Sequence, residues 1–274
     1  MPDFREDQAA GLRRLMSGPK PRIVTLLSAA AGNELPRILT NLAASFRQYG
    51  SDALIVHAAD ANAEALRHYR MTGMATLADA VRGKHALYDA IRQGDQGYAS
   101  TVLAPAHLAC NPLPAALASD LGRMLGELAE QYDVVLVEAV LDAAQQLPLA
   151  LLDDGDLVIQ LDRKPASIQQ AYRLIKQLHG RLGSRPFGIL VNGADESEAK
   201  AVFNNVAGVA RRYLGLKLDY IGHIPADEHM TRASNLGRSV IDAFPMATVS
   251  RAFTALAGRL GYRRQNAATP ATCS

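Results

Sequence analysis

The segment SAAAGNELPRILTNLA, at residues 28–43, combines the outline of a phosphate-binding loop with the loss of most of its chemistry. It follows an apolar run at residues 23–27 and leads into a helix-like pattern. A strand, a loop and a helix in this order can bind phosphate. The glycines of the loop let backbone N–H groups approach the phosphates, a lysine supplies positive charge, and a Ser or Thr holds magnesium. Here Gly32 is the one glycine, and lysine is absent. The segment predicts a strand–turn–helix scaffold in which Asn33 caps the helix and Pro36 lies in its first turn.

Short apolar runs alternate with amphipathic stretches along most of the chain. We predict strands at residues 22–28, 53–58, 99–105, 133–139, 156–162, 187–193 and 218–224. Such near-continuous apolar runs are expected of parallel strands that are covered on both faces. The alternation with helix patterns predicts one α/β domain, with a doubly wound, mostly parallel sheet and helices on both faces. Its predicted limits are residues 20–262, with an N-terminal extension at 1–19 and a disordered tail at 263–274.

The composition indicates a chain with a large core and no targeting or nucleic-acid signal. Of its 274 residues, 49% are hydrophobic, and the formal net charge of +2 is spread along the chain. The sequence contains no long basic block that would predict direct nucleic-acid binding, and none of its apolar runs is long enough to span a membrane. Two cysteines, Cys110 and Cys273, lie far apart and do not indicate a disulfide framework. We therefore expect a cytoplasmic protein.

Several segments resemble the motifs of one nucleotide-binding family. Read without gaps, residues 28–43 resemble SGKGGVGKSNxxxNLA, the deviant Walker A loop of the MinD/ParA ATPases. YDVVLVEA, from Tyr132, resembles the YDxxxxD Walker B strand of that family. VNGA, from Val191, and GHIPAD, from Gly222, resemble its base-binding VNxA segment and its GxIPxD turn. The resemblance implies a P-loop NTPase-like fold.

Two further segments resemble the FlhG/FleN group of that family, which regulates flagellar number. DQAAGLR, at residues 7–13, matches the group's N-terminal DQAxxLR motif. PASIQQAYRLIK, from Pro165, resembles its PEPTSxxDAYxLIK segment. The likeness covers about residues 7–261 and is weakest at the motifs that serve catalysis. The chain is therefore identified by resemblance as an FlhG-like protein with degenerate nucleotide-binding motifs.

The resemblance implies a phosphate loop that has lost its cations. Ala30 and Leu35 stand at the two lysine positions, and Pro36 stands at the Ser/Thr position. Because a charge-assisted hydrogen bond contributes roughly 1.5–3 kcal/mol, the loss of both lysines removes about two to four decades of affinity. Glu34 adds negative charge where a polyphosphate would lie. We therefore expect no ATP hydrolysis and no cofactor, while weak ATP or ADP binding stays open.

The positions that would hold magnesium have also changed. His57 and Ala59 stand where the family has a pair of aspartates, with Asp60 one residue later, and Glu138 replaces the Walker B aspartate. A metal site of His57, Asp60 and Glu138 is an alternative that we do not favour, and we expect no metal. The residue types of the base-recognition end are retained, as Asn192, Pro225 and Asp227. We favour the alternative that they are an ordinary strand-end Asn and a Pro-Ala-Asp turn that stops a strand, while weak docking of a nucleotide stays open.

Together, the residues that we regard as vestigial nucleotide-binding positions are Gly32, Glu138, Asn192, Pro225 and Asp227.

The N-terminal motif predicts a short amphipathic helix. Its apolar stripe is formed by Ala9, Leu12, Leu15 and Met16. A helix of about ten residues is marginal alone, so it should become ordered on a surface that covers this stripe. The resemblance names the partner as FlhF, a GTPase of the signal-recognition-particle class. It implies partner contacts by Asp7, Gln8, Leu12 and Arg13, with Gln8 acting in trans on the GTPase site. The alternative is a helix that docks on its own domain.

The last helix pattern, at residues 249–264, raises the question of a membrane. Family members often end in an amphipathic helix that lies on the membrane, and Phe253, Leu256, Ala257 and Leu260 share one side here. The pattern coincides with the last helix of the core domain. We therefore predict that it packs on the core and that membrane binding is weak or absent.

The leading hypothesis is a regulator of flagellar number or placement that uses a MinD-like scaffold to stimulate FlhF. A flagellar transcription activator, switch-complex proteins and a second copy of the chain are further partners that the resemblance allows. It also allows a peripheral location at the inner membrane or the cell pole. Two alternatives stay open: an active ATPase of the MinD/FlhG type that cycles on the membrane, and an anti-activator of a flagellar transcription factor.

Overall fold

One eight-stranded sheet runs through the residues that the structure describes. The computed structural model describes residues 22–32, 34–59, 71–94, 96–105 and 112–267. The strands are β1 (Arg22–Ser28), β2 (Ala53–Ala58), β3 (Ile91–Gln93), β4 (Ala99–Val102), β5 (Val134–Ala139), β6 (Asp156–Leu161), β7 (Phe187–Asn192) and β8 (Leu218–Ile224). Their order is β3-β4-β2-β5-β1-β6-β7-β8, and only the β3–β4 pair is antiparallel. The predicted mostly parallel sheet is confirmed.

Helices cover both faces of this sheet. They are α1 (Glu34–Gln48), α2 (Leu77–Val81), α3 (Ala115–Ala129), α4 (Pro165–Leu182), α5 (Glu196–Leu214), α6 (Glu228–Asn235), α7 (Val240–Ala243) and α8 (Thr248–Ala267), with 3₁₀ turns at Leu87–Ala90 and Ala150–Asp153. The buried side chains of α2 to α5 join one apolar cluster, and those of α1 and α6 to α8 join a second on the opposite face. The doubly wound α/β prediction therefore holds.

Helix α8 extends beyond the predicted limit of the domain. It continues to Ala267, so the limit that we predicted at Tyr262 lies inside a helix. No Gly or Pro interrupts residues 262–267, and the first helix-breaking residue downstream is Pro270. The predicted apolar side of this helix is buried: Phe253, Leu256, Ala257 and Leu260 are each at most 3% exposed. The prediction that this helix packs on the core is confirmed, since it lies against α1 and β8.

Among the described helices, none is both long enough and apolar enough to cross a membrane.

Helix α1 is tied to the opposite end of the chain by one buried amide. Asn41 is 5% exposed. Its Oδ1 accepts a hydrogen bond from the backbone N–H of Val240 at 2.6 Å, and its Nδ2 donates to the carbonyl of Arg37 at 2.7 Å. The asparagine therefore fixes the helix that follows the loop against α7.

We expect the Asn41→Ala variant to lose about 2 kcal/mol of unfolding free energy. The truncation leaves the buried Val240 N–H without its acceptor, and such a desolvated group costs about 1–3 kcal/mol. Chemical denaturation measures the loss. Asn204→Ala, at an exposed position of α5, is the control and should change stability little. Equal stability of both variants would remove this role from Asn41.

Candidate functional site

The sequence-predicted nucleotide positions within the described residues meet at the carboxyl edge of the parallel sheet. Gly32 lies in the loop after β1, Glu138 near the end of β5 and Asn192 at the last position of β7. Pro225 and Asp227 follow β8 directly. Ligands of open α/β sheets bind at this edge. The candidate site therefore lies at the edge of the sheet where proteins with this kind of fold bind their ligands.

The loop after β1 is anchored by uncharged groups. The Ser28 hydroxyl donates to Oε1 of Gln160 at 2.7 Å, and the Ala29 N–H donates to the Gln160 carbonyl at 2.7 Å. Gln160 lies on β6 and is fully buried. Gly32 is exposed and has a φ of +103°, a conformation that L side chains rarely adopt. The loop thus keeps the glycine-dependent turn of a phosphate loop while its base is fixed by a neutral amide.

The residues at the second lysine and the Ser/Thr position face inward. Leu35 is 3% exposed and belongs to the apolar core on the α1 face, and Pro36 is buried beside it. The charged residues of this turn pair with each other: Nη1 of Arg37 lies 3.5 Å from Oε1 of Glu34. Neither a cation nor a hydroxyl from positions 35 and 36 is available to a phosphate. The first turn of α1 has become part of the core.

A buried acid–base pair occupies the region where magnesium would be coordinated. His57 and Glu138 are direct partners in the β2–β5 ladder. Nδ1 of His57 lies 2.6 Å from Oε2 of Glu138, and the two side chains are 2% and 12% exposed. Two positions at which the resemblance implies acids therefore hold an imidazole and a carboxylate that contact each other.

This pair does not fit a magnesium site. Mg²⁺ requires oxygen ligands in near-octahedral geometry, whereas one of the two side chains here is an imidazole that already contacts the other. Within the described residues, no group of three His, Cys, Asp or Glu side chains could hold a metal ion. Asp60, the third member of the metal alternative, lies outside the described residues. Leu35, Pro36, His57 and Glu138 thus depart from the residue types that the resemblance implies at these positions.

Asp227 has a structural task at the base-recognition end. It caps α6, because its Oδ1 accepts the His229 N–H at 2.9 Å and lies 2.6 Å from Nδ1 of the His229 ring. Burial alone would raise the pKa of Asp227, but the hydrogen bonds from the His229 backbone and ring outweigh it and lower that pKa. The geometry supports the interpretation of this segment as a turn that stops β8. Asn192 is half-buried and pairs with Ile224 in the ladder, and a role in binding a base stays a prediction.

The cap of α6 predicts a stability that depends on pH. A group whose pKa is lowered by folding contributes stability above its unfolded pKa and loses it as pH falls through the folded value. We expect Asp227→Ala to cost about 1 kcal/mol at neutral pH and progressively less below about pH 4. Urea titrations across this range measure the difference. Asp154→Ala, at an exposed site, is the control and should change stability little. A deficit of Asp227→Ala that persists in acid would contradict the assignment.

Sequence reasoning missed two residues that shape this edge. Gln160 anchors the loop, and Asn41 ties α1 to α7. Gln160 carried a signal, since it is the one amide in the apolar run of β6. The partner-binding residues predicted at the N-terminus, which are Asp7, Gln8, Leu12 and Arg13, and the predicted cap Asn33 lie outside the described residues.

The fold and the placement of this site define the class of protein. This chain superposes on a chain of the MinC:MinD cell division protein complex of Aquifex aeolicus with a TM-score of 0.66 and 18% sequence identity. The superposition covers 92% of this chain and 99% of the Aquifex chain. MinD complexed with Mg-ADP from Pyrococcus horikoshii superposes with a TM-score of 0.63 at 18% identity, over 86% and 94%. The chain therefore has the MinD/ParA-type, P-loop NTPase-like fold.

Sequence similarity then narrows this class. The chain is 26% identical over 242 residues to the antiactivator FleN of Pseudomonas aeruginosa, which covers 87% of this chain and 86% of FleN. It is also 22% identical over 239 residues, or 86% of each chain, to an uncharacterized ATP-binding protein of Methanocaldococcus jannaschii. No protein-family model matches the chain. The chain is thus similar to FleN in sequence and has a MinD/ParA-type fold.

Proposed function

We propose that this protein regulates flagellar number or placement as a MinD-like scaffold that works without nucleotide and stimulates the GTPase FlhF through its N-terminal segment. The likeness to FleN and the DQAAGLR motif at residues 7–13 support the flagellar assignment. The observation that carries the scaffold role is the contact between His57 and Glu138. It places a buried acid–base pair at two positions where a working ATPase of this type would hold magnesium.

The physical consequence is a site with little to attract a triphosphate. Both lysine positions hold apolar residues, so roughly two to four decades of affinity are lost. Nucleotide-driven dimerisation needs a bound nucleotide, and this protein would therefore not be switched in that way. Its control would come from its abundance or from a partner.

Calorimetric titration with Mg-ATP tests the nucleotide-free scaffold. We expect no binding in the micromolar range, because the loop offers main-chain amides around Gly32 but no cationic side chain from positions 30 or 35. Titration with ATP in the presence of EDTA separates magnesium-dependent from magnesium-independent binding. Micromolar binding of Mg-ATP would contradict this proposal and favour the active ATPase.

GTP turnover by FlhF tests the partner assignment. We expect the rate to rise when the purified protein is added, because a glutamine supplied in trans can orient the attacking water. The rate of FlhF alone and the rate with an equal concentration of serum albumin provide the baseline. Equal rates with and without the protein would reject this part of the proposal and leave the scaffold assignment to the calorimetry.

A second candidate function is inhibition of a flagellar transcription activator. It is favoured by the similarity to a protein named antiactivator FleN. In that case the domain surface would bind the activator, and substitution of Gln8 or Leu12 would leave this binding unchanged. A pull-down of the transcription activator with the wild-type chain and with Leu12→Asp, which should lose FlhF binding, separates the two roles.

A further inference from the structure

An apolar groove lies between helices α4 and α5 on the outer face of the domain. Val206 is buried at its floor, and Ile168, Tyr172 and Val209 are half-buried along its walls. Gln169, Arg173 and Asn205 complete the lining, and the groove encloses about 360 Å³. Apolar walls with a polar rim, formed by two neighbouring helices, suit the apolar stripe of an amphipathic helix.

The start of the described chain lies beside the C-terminal end of α4, the helix that forms one wall of this groove. Nη2 of Arg22, the first residue of β1, lies 2.6 Å from Oδ2 of Asp156 at the start of β6. Arg181, near the end of α4, pairs with Asp153 just before the same strand. The chain therefore enters β1 beside the C-terminal end of α4.

The preceding residues are long enough to reach the groove. Residues 17–21 span up to about 17 Å when extended. From Arg181 back to Tyr172 is nine residues of helix, or about 14 Å. Residues 7–16 would add about 15 Å if they form the helix that the sequence predicts. The connecting residues 17–21 are therefore long enough for the apolar stripe of residues 7–16 to reach the groove of its own chain.

We propose that residues 7–16 dock in the α4–α5 groove of their own chain, with Leu12 and Leu15 against Tyr172 and Val209. This regulation rests on the proposed function, since docking would withhold Gln8 from FlhF until the partner displaces the segment. A short flexible tether gives an effective concentration on the order of 1 mM. An intrinsic dissociation constant of about 0.1 mM would therefore keep about nine molecules in ten closed and weaken partner binding about tenfold.

A single tryptophan tests the contact without FlhF. The chain contains no tryptophan, so a Leu15→Trp variant of the full chain reports one site, and Leu15 is outside the DQAxxLR match. We expect a blue-shifted emission that moves towards that of an exposed indole when Val209→Asp is added. The control is Ala201→Asp, which puts the same charge on an exposed position of α5 outside the groove and should leave the emission blue-shifted.

Tyr172→Glu, on the facing wall, should repeat the result of Val209→Asp, and circular dichroism melts verify that each variant is folded. Emission of an exposed indole in Leu15→Trp alone, or a blue shift that survives both groove variants, would overturn the proposal. A blue shift that grows with protein concentration would assign the groove to the segment of a second copy and would also overturn it.

The regulatory consequence is measured separately. Val209→Asp in the chain with its natural Leu15 should lower the concentration needed for half-maximal stimulation of FlhF by about tenfold, and Ala201→Asp should not. An unchanged concentration would overturn the inhibitory role of the contact. If FlhF is not stimulated by any variant, the proposed function fails, while the tryptophan emission still decides whether the segment docks.

Discussion

The His57→Ala variant is expected to unfold with about 3 kcal/mol less free energy than the wild-type chain. Removal of the imidazole leaves the buried Glu138 carboxyl without its contact, and an unsatisfied buried polar group costs about 1–3 kcal/mol. The upper end applies here because the lost imidazole is 2% exposed and its removal also leaves a cavity. Since 1 kcal/mol corresponds to about 2–4 °C in a domain of this size, the melting temperature should fall by about 6–12 °C. Urea denaturation and calorimetry measure both quantities.

Three further variants isolate the contribution of the pair. His85→Ala, at an exposed histidine, should change stability by no more than about 0.5 kcal/mol. Glu138→Gln and the double variant complete a thermodynamic cycle, in which the double variant should lose less than the sum of the single variants. Strict additivity would mean that the 2.6 Å contact contributes no coupling energy, and the pair would then have no part in stabilising this edge.

The His57→Ala variant also tests whether the pair alone prevents binding of Mg-ATP. Loss of His57 would free the Glu138 carboxylate, yet Leu35 and Pro36 would stay in the core. The variant should therefore gain no affinity for Mg-ATP. The stability of this edge and its affinity for nucleotide therefore depend on different residues.

The strands were predictable wherever their signal was local. The apolar runs at β1, β2 and β8 coincide with the observed bounds because such runs need both faces covered. The edge strand β3 was missed, since its three residues, IRQ, form no apolar run and pair only through β4. Strand β4 ends at Val102, three residues earlier than predicted, because the chain turns there.

The contacts of the site were less predictable, because they depend on register. The types of His57 and Glu138 indicated a damaged metal site, but their mutual contact requires that β2 and β5 be neighbours in one particular register. Asp227 kept its residue type, and the sequence could not reveal that its carboxylate is engaged by His229. The residue types alone therefore showed which nucleotide-binding groups are missing. The contacts that replace them depend on strand pairing and could not be predicted from the sequence.

Gln8→Ala is expected to abolish the stimulation of FlhF while leaving the domain intact. The side chain would orient the water that attacks the γ-phosphate, and misplacement of a reacting group costs on the order of a hundredfold in rate. Residues 7–13 precede the sheet in sequence, so the melting temperature should not change. GTP turnover at saturating concentrations of the protein measures the effect.

Comparison of neighbouring positions separates chemistry from binding. Arg14→Ala lies outside the DQAxxLR match and should retain most of the stimulation, whereas Leu12→Asp should lose both stimulation and binding because it places a charge on the apolar stripe. Gln8→Ala should still bind FlhF in a calorimetric titration, since an uncharged polar residue contributes little to a helix-in-groove contact. If Gln8→Ala stimulated FlhF as strongly as the wild-type chain, Gln8 would have no catalytic part, and other residues of this protein would have to cause the stimulation.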